Sequence, residues 1–191
     1  LVILPIGLPW LHVYLSLDPL SGFFLFVVGL ITFIAGCYGP AYTREYIGLK
    51  MSIGSLTVFT GLFVCGMFLV LLAADAFSFM LAWELMSVAS YFLVVYQHHK
   101  LENRQAAFIY LLMAVVGGSF LLLAYGVLAG FSDGFSFAAM KAAVLSPTWA
   151  SMAFTFAFIG FGLKAGIVPL HVWLPLAHPV APSHISAMMS G

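Results

Sequence analysis

Phe158-Ile159-Gly160-Phe161-Gly162-Leu163-Lys164-Ala165-Gly166-Ile167-Val168-Pro169-Leu170-His171-Val172-Trp173-Leu174-Pro175 is an apolar run with a lysine in its middle and two helix breakers directly behind it. Pro169 lacks a backbone donor one turn beyond Lys164, and Gly166 weakens the turn between, so a helix arriving from the N-terminal side is expected to break there. Inside a membrane such a break is tolerated where the freed carbonyls are buried in protein or line a wet cavity. The run continues through Leu176-Ala177-His178-Pro179-Val180-Ala181-Pro182-Ser183-His184-Ile185, so residues 165–185 hold four prolines, three histidines and no formal charge.

The rest of the chain makes the membrane reading compulsory. Of 191 residues 64% are hydrophobic and 6% charged, and the mean hydropathy is +1.15. A soluble domain carries about a quarter charged residues. Six Lys or Arg balance six Asp or Glu, which leaves no basic surface for nucleic acid. An aromatic content of 16% excludes disorder. The expected class is an all-α polytopic membrane protein whose partner is the lipid bilayer.

About 20 largely uncharged residues are needed to cross the hydrocarbon core. Five stretches qualify: residues 19–39, 51–74, 76–97 (interrupted only by Glu84), 105–130 and about 149–168 (interrupted only by Lys164). Asp18-Pro19 opens the first as an N-cap followed by proline at the first helical position. Residues 131–147 predict a surface loop with a short interfacial helix. Residues 1–17 alternate more than they turn and predict an extended external segment ahead of a transmembrane domain over 18–191. The chain begins at Leu1 rather than Met and stops at Gly191 in the opening turns of a further helix, so it is expected to be a fragment.

Arg44, Lys50, Lys100 and Arg104 fall on one side of the spans, against one lysine opposite. The positive-inside bias then makes the 40–50 and 98–104 connections cytoplasmic. Cys37 and Cys65 sit singly in apolar stretches and read as small packing residues, with no cluster or zinc signature. Gly61-x3-Cys65-Gly66, Gly117-Gly118 and Gly160-x-Gly162 are small-residue runs that permit close helix packing.

Glu84 lies within three residues of the middle of its span, roughly 4 Å from the midplane. A charge there costs on the order of 3 kcal/mol, so Glu84 and Lys164 are functional candidates by default. One alternative is that they only neutralise each other as a packing device. The functional alternative is a proton relay: low dielectric disfavours an ammonium and a nearby carboxylate favours it, so shifting that balance loads or ejects a proton. Moving one charge against 100 mV needs about 2.3 kcal/mol, a swing the two effects can supply. His171 and His184 are the onward relay candidates, and His178, which precedes Pro179 in a turn, is a third. No row of polar side chains is evident along one helix face, which disfavours a channel for another solute.

Four motifs resemble a known family: Leu17-Asp18-Pro19-Leu20-Ser21 opening a span, Trp83-Glu84-Leu85-Met86 in mid-span, Gly162-Leu163-Lys164-Ala165-Gly166, and Pro169-Leu170-His171-Val172-Trp173-Leu174-Pro175. Together they are similar to the antiporter-like proton-channel subunits of complex I, multisubunit sodium/proton antiporters and membrane-bound hydrogenases. The ending from Ala177 to Gly191 is most similar to the hydrogenase branch, that of the large membrane subunit of formate hydrogenlyase and hydrogenase 4 (component B). Leu176 stands where complex I relatives usually carry an acidic residue.

The resemblance implies an inverted-repeat antiporter-like fold of about fourteen helices. This chain would supply five complete spans and the start of a sixth, most of the first five-helix repeat. By motif, Glu84 is the modulating glutamate, Lys164 the central protonatable lysine, and Gly166 and Pro169 mark the broken helix. The resemblance further implies a multi-pass subunit in the plasma membrane of a prokaryote. It would have no redox catalysis and no cofactor of its own, and would couple proton transfer to partner subunits bearing iron–sulfur clusters and a NiFe or quinone site. The rival readings are a secondary sodium/proton antiporter subunit and a non-conducting scaffold that anchors a peripheral enzyme.

Overall fold

The computed structural model describes residues 2–8, 11–44 and 52–190. Two strands, β1 (Val2–Leu8) and β2 (Leu11–Leu15), form an antiparallel hairpin with a register shift between Leu4 and Gly7. Among the described residues the regular elements after it are helices: α1 (Pro19–Thr43), α2 (Ile53–Leu72), α3 (Ala76–Val94) with a 3-10 turn to Gln97, α4 (Leu101–Gly130), the short α5 (Phe137–Ala142), α6 (Pro147–Ala165), α7 (Leu174–Ala177) and α8 (Ser183–Ser190). The part of the basic connection at 45–51, with Lys50, lies outside the described residues.

Among the described residues four helices, α1, α2, α3 with its 3-10 turn, and α4, are long and apolar enough to cross a membrane. The fifth expected span is a helix too, but it runs from Pro147 to Ala165 instead of 149–168. At about 1.5 Å per residue it is just under 30 Å long. It stops short because Gly166 adopts the left-handed conformation, φ 74° and ψ 38°, three residues before the proline. The first span is longer than expected and carries Pro40 inside its last turn.

Caps set where the helices start. Asp18 accepts the Ser21 N–H at 2.7 Å and Ser52 accepts the Ser55 N–H at 3.2 Å. Asp75 does the same for Ser78 at 2.9 Å while buried to 3% exposure. A buried carboxylate needs every lone pair used, and Asp75 also takes the Ser78 hydroxyl and the Tyr14 N–H. Backbone bonds Ser16 N to Leu72 O (2.8 Å), Ala74 N to Tyr14 O (2.9 Å) and Ala76 N to Phe135 O (2.9 Å) complete the junction. Hairpin, α2–α3 corner and the loop before α5 are thereby pinned together at one end of the bundle. Asp75→Ala is expected to cost about 2 kcal/mol through the lost cap on the Ser78 N–H and the lost acceptor of the Ser78 hydroxyl, while the Tyr14 N–H keeps Ser78 Oγ at 2.9 Å, with Asp75→Asn costing less. Thermal midpoints of the purified protein check the order.

Small residues let the helices meet. A Cβ on Gly66 of α2 would stand 2.9 Å from the Met86 backbone of α3. One on Gly160 of α6 would stand 2.7 Å from Leu121 and 2.9 Å from the Gly117 carbonyl of α4. The expected packing role therefore holds for Gly66, Gly117 and Gly160, whereas Gly61 faces open space and Cys65 is exposed. In α1, Phe23, Phe26 and Phe33 are each more than 60% exposed, a surface suited to lipid tails or neighbouring helices.

Candidate functional site

The break after α6 is built carbonyl by carbonyl. Gly162 O accepts from both the Gly166 and Ile167 N–H groups, and Leu163 O accepts the Trp173 indole N–H at 2.7 Å. The indole folds back across the break and caps a carbonyl that no backbone donor reaches. Lys164 is the next-to-last residue of the helix, where the helix dipole favours a cation.

Its ammonium enters a cage made by two other helices. Lys164 Nζ donates to Ser87 Oγ of α3 at 3.2 Å and to the Tyr110 hydroxyl oxygen of α4 at 3.1 Å. It also lies 5.6 Å from the Trp83 ring centroid and 5.4 Å from that of Tyr110, within cation–π range. The cage has a direction. Ser90 Oγ is 2.8 Å from Met86 O and 2.9 Å from Ser87 O, so its single proton goes to a backbone carbonyl. Tyr110, 2.6 Å from Ser90 Oγ, must then donate to it and accept from the lysine. Protons point outward from Nζ along the whole chain, an arrangement that solvates an ammonium with neutral groups. Ser87, Ser90 and Tyr110 are all under 4% exposed.

Glu84 does not reach this cage. Among the described residues it forms no ion pair with Lys164, although it lies within Coulombic range of it. Its carboxylate packs instead on Gly118 of α4, in space a Cβ there would fill. Tyr110 and Gly118 are eight residues apart on α4, about 12 Å along its axis. The acid and the base thus touch the same helix at two levels, and the close neutralising pair considered from sequence is absent.

The histidines are dispersed. His171 is half-buried, and its Cβ lies 3.8 Å from where a Gly166 Cβ would stand. His178 Nδ1 is 2.9 Å from Ser186 Oγ of α8, and its ring faces Trp173 at 6.1 Å. Trp173 in turn meets Tyr110 edge-on at 5.2 Å. His184 is buried against Gly39 and Tyr42 of α1, apart from the lysine cage. Among the described residues no three His, Cys, Asp or Glu side chains gather to hold a metal ion.

Sequence reasoning missed Ser87, Ser90 and Tyr110. Trp83, Ser87 and Ser90 follow one another at i, i+4 and i+7, so they share a face of α3. That short polar row is the signal, and it corrects the expectation that no such row exists.

Residues 73–191, which contain Glu84, the cage and the broken segment, match the family described as NADH:quinone oxidoreductase/Mrp antiporter, transmembrane. The chain belongs to this family. As an antiporter-family chain it is similar to hydrogenase-4 component B of Escherichia coli, with 38% identity over 93% of this chain and 26% of that one. It is also similar to NADH-quinone oxidoreductase subunit N 2 of Solibacter usitatus, 28% identical over 66% of this chain and 26% of that one. A solved chain from the membrane-bound sulfane sulfur reductase, an archaeal respiratory membrane complex, superposes with a TM-score of 0.79 at 24% identity. It covers 98% of this antiporter-family chain and 29% of its own, which establishes the shared fold. The chain therefore spans about a quarter of the length of the curated relatives it matches.

Proposed function

We propose that this chain is the proton-translocating part of a membrane subunit in a hydrogenase or NADH:quinone oxidoreductase-type complex, seated in the plasma membrane of a prokaryote. The observation that carries the reading is Lys164 at the end of a broken helix, caged by hydroxyls and not tied to a carboxylate. An ion pair in contact would hold the proton in place. A lysine solvated by neutral groups, with Glu84 at a distance, leaves its charge adjustable by whatever moves that acid. Identity of 38% to hydrogenase-4 component B against 28% to the NADH-quinone oxidoreductase subunit favours the hydrogenase branch.

In this reading Lys164 holds and releases the proton, Glu84 tunes it, and His171, His178 and His184 serve onward transfer. Gly166 and Pro169 supply the break. Electrons travel in partner subunits with iron–sulfur and NiFe or quinone sites, and this chain carries no redox cofactor. The 98–104 connection faces the cytoplasm.

Tyr110→Phe tests the cage. It keeps the ring beside Nζ and the contact with Trp173 and removes one hydrogen bond to a charged group, so flux is expected to fall about tenfold with assembly intact. Proton uptake by sealed vesicles carrying the full-length protein in its complex is the measurement. Unchanged uptake contradicts the assignment of the cage. Because the family description also covers antiporters, the same vesicles distinguish the sodium/proton reading: proton flux that requires a sodium gradient and no electron donor supports it. A scaffold shows no Lys164-dependent flux at all.

A further inference from the structure

Gly117 and Gly118 stand side by side in α4 and face different neighbours, because successive residues of a helix point about 100° apart. A Cβ on Gly117 would lie 3.2 Å from the Gly160 carbonyl oxygen of α6 and 3.4 Å from Cβ of Leu163, the residue before Lys164. A Cβ on Gly118 would point at α3 and meet Glu84 there, with Oε1 closer than van der Waals contact and Cδ at 3.6 Å. Among the described residues no other side chain or neighbouring helix comes within 4 Å of it. One glycine thus seats the turn that carries the base, and the next seats the acid.

Shape holds the acid in this place. Glu84 is half-buried, and among the described residues it accepts no hydrogen bond and forms no ion pair. Ser87, which accepts from Lys164 Nζ, lies three residues further along α3, on the same face as Glu84. The carboxylate therefore acts on the ammonium through space, and such an interaction varies with separation. A methyl added at Gly118 falls on the far end of a flexible side chain, whereas one at Gly117 falls on the backbone of α6. Only the first clash is relieved by turning a side chain, with the helices left where they are.

We propose that Gly118 is a positioning residue: the side chain it lacks leaves the seat in which the Glu84 carboxylate rests, and this seat sets the distance at which the acid acts on Lys164. The effect on proton movement rests on the proton-translocating reading. The seat itself does not.

Gly118→Ala in the full-length protein, within its assembled complex, tests both parts. Proton uptake by sealed vesicles is expected to fall about tenfold, less than the hundredfold that misplacing a reacting group by 1 Å can cost, because Glu84 acts at a distance. In the Glu84→Gln background the same substitution is expected to have no further effect. Glutamine has the size of glutamate, so the clash is kept and only the charge is gone. An equal loss in both backgrounds overturns the proposal, since packing alone would produce it. So does unchanged uptake in Gly118→Ala where Lys164→Ala and Glu84→Gln each lower it. The structure of the Gly118→Ala complex beside that of the parent complex reads the seat without reference to flux. The Glu84 carboxylate is expected to have left α4, with Ser87 and Tyr110 still around Lys164. A carboxylate that stays in place while α3 and α4 spread apart overturns the proposal. Uptake that proves independent of Lys164 removes the proton-translocating reading, and the variant structure still decides the seat.

Discussion

Lys164→Ala is expected to lower proton uptake on the order of a hundredfold, the usual worth of a positioned proton-transfer group, while the protein still assembles. The second half of that statement follows from the hydrogen bonds that remain. Without the ammonium, Tyr110 still donates to Ser90, and Ser90 keeps the Met86 and Ser87 carbonyls. The end of α6 remains fastened by the Trp173 indole on Leu163 O and by the two bonds to Gly162 O. No buried carboxylate is stranded, because none contacts the lysine. Uptake by sealed vesicles, read beside the amount of assembled complex, separates the two halves. A variant that vanishes from the membrane would mean that Lys164 is a packing element.

The largest structural effect is expected from Gly160→Val. Its Cβ meets Leu121 Cγ and Cδ2 at 2.7 Å and the Gly117 carbonyl at 2.9 Å, and Leu121 is fully buried with no room to swing aside. Backbone and core both resist, so α4 and α6 must separate, at a cost of about 3 kcal/mol or more. These are the helices that bring Tyr110 to Lys164. Assembly and proton transfer should therefore fail together, unlike in Lys164→Ala. Gly126→Ala, on α4 with nothing within 4 Å of its Cβ, is the matching control and should leave both intact. The amount of folded protein recovered from membranes measures the difference.

The spans were legible because hydrocarbon imposes a length and excludes charge. Asp18 and Asp75 were legible as well, the first as a cap before proline and both as acids at the ends of apolar runs. So were the two intramembrane charges and the break that follows Lys164. The break's position at Gly166 depended on the left-handed turn, which stops the helix before the proline can.

The cage was hidden for a physical reason. In a membrane the buried and lipid-facing sides of a helix are equally apolar, so periodicity does not say that Ser87 faces inward and Val88 outward. A serine or threonine that bonds its own helix backbone also raises little alarm in an apolar run. Which hydroxyls Lys164 reaches depends on how α3, α4 and α6 cross, set by contacts such as Gly160 against Gly117. The separation of Glu84 from Lys164 has the same origin: residue types suggested a pair, and helix crossings put the acid on Gly118 instead.

The central claim is that Glu84 acts on proton movement through Lys164. Proton uptake by vesicles carrying Glu84→Gln, Lys164→Ala and the double variant, each in the assembled full-length protein, tests it most directly. The double variant is expected to be no slower than Lys164→Ala alone, because tuning a base that is no longer present has no effect. Losses that multiply in the double variant, or full uptake in Lys164→Ala, would contradict the claim.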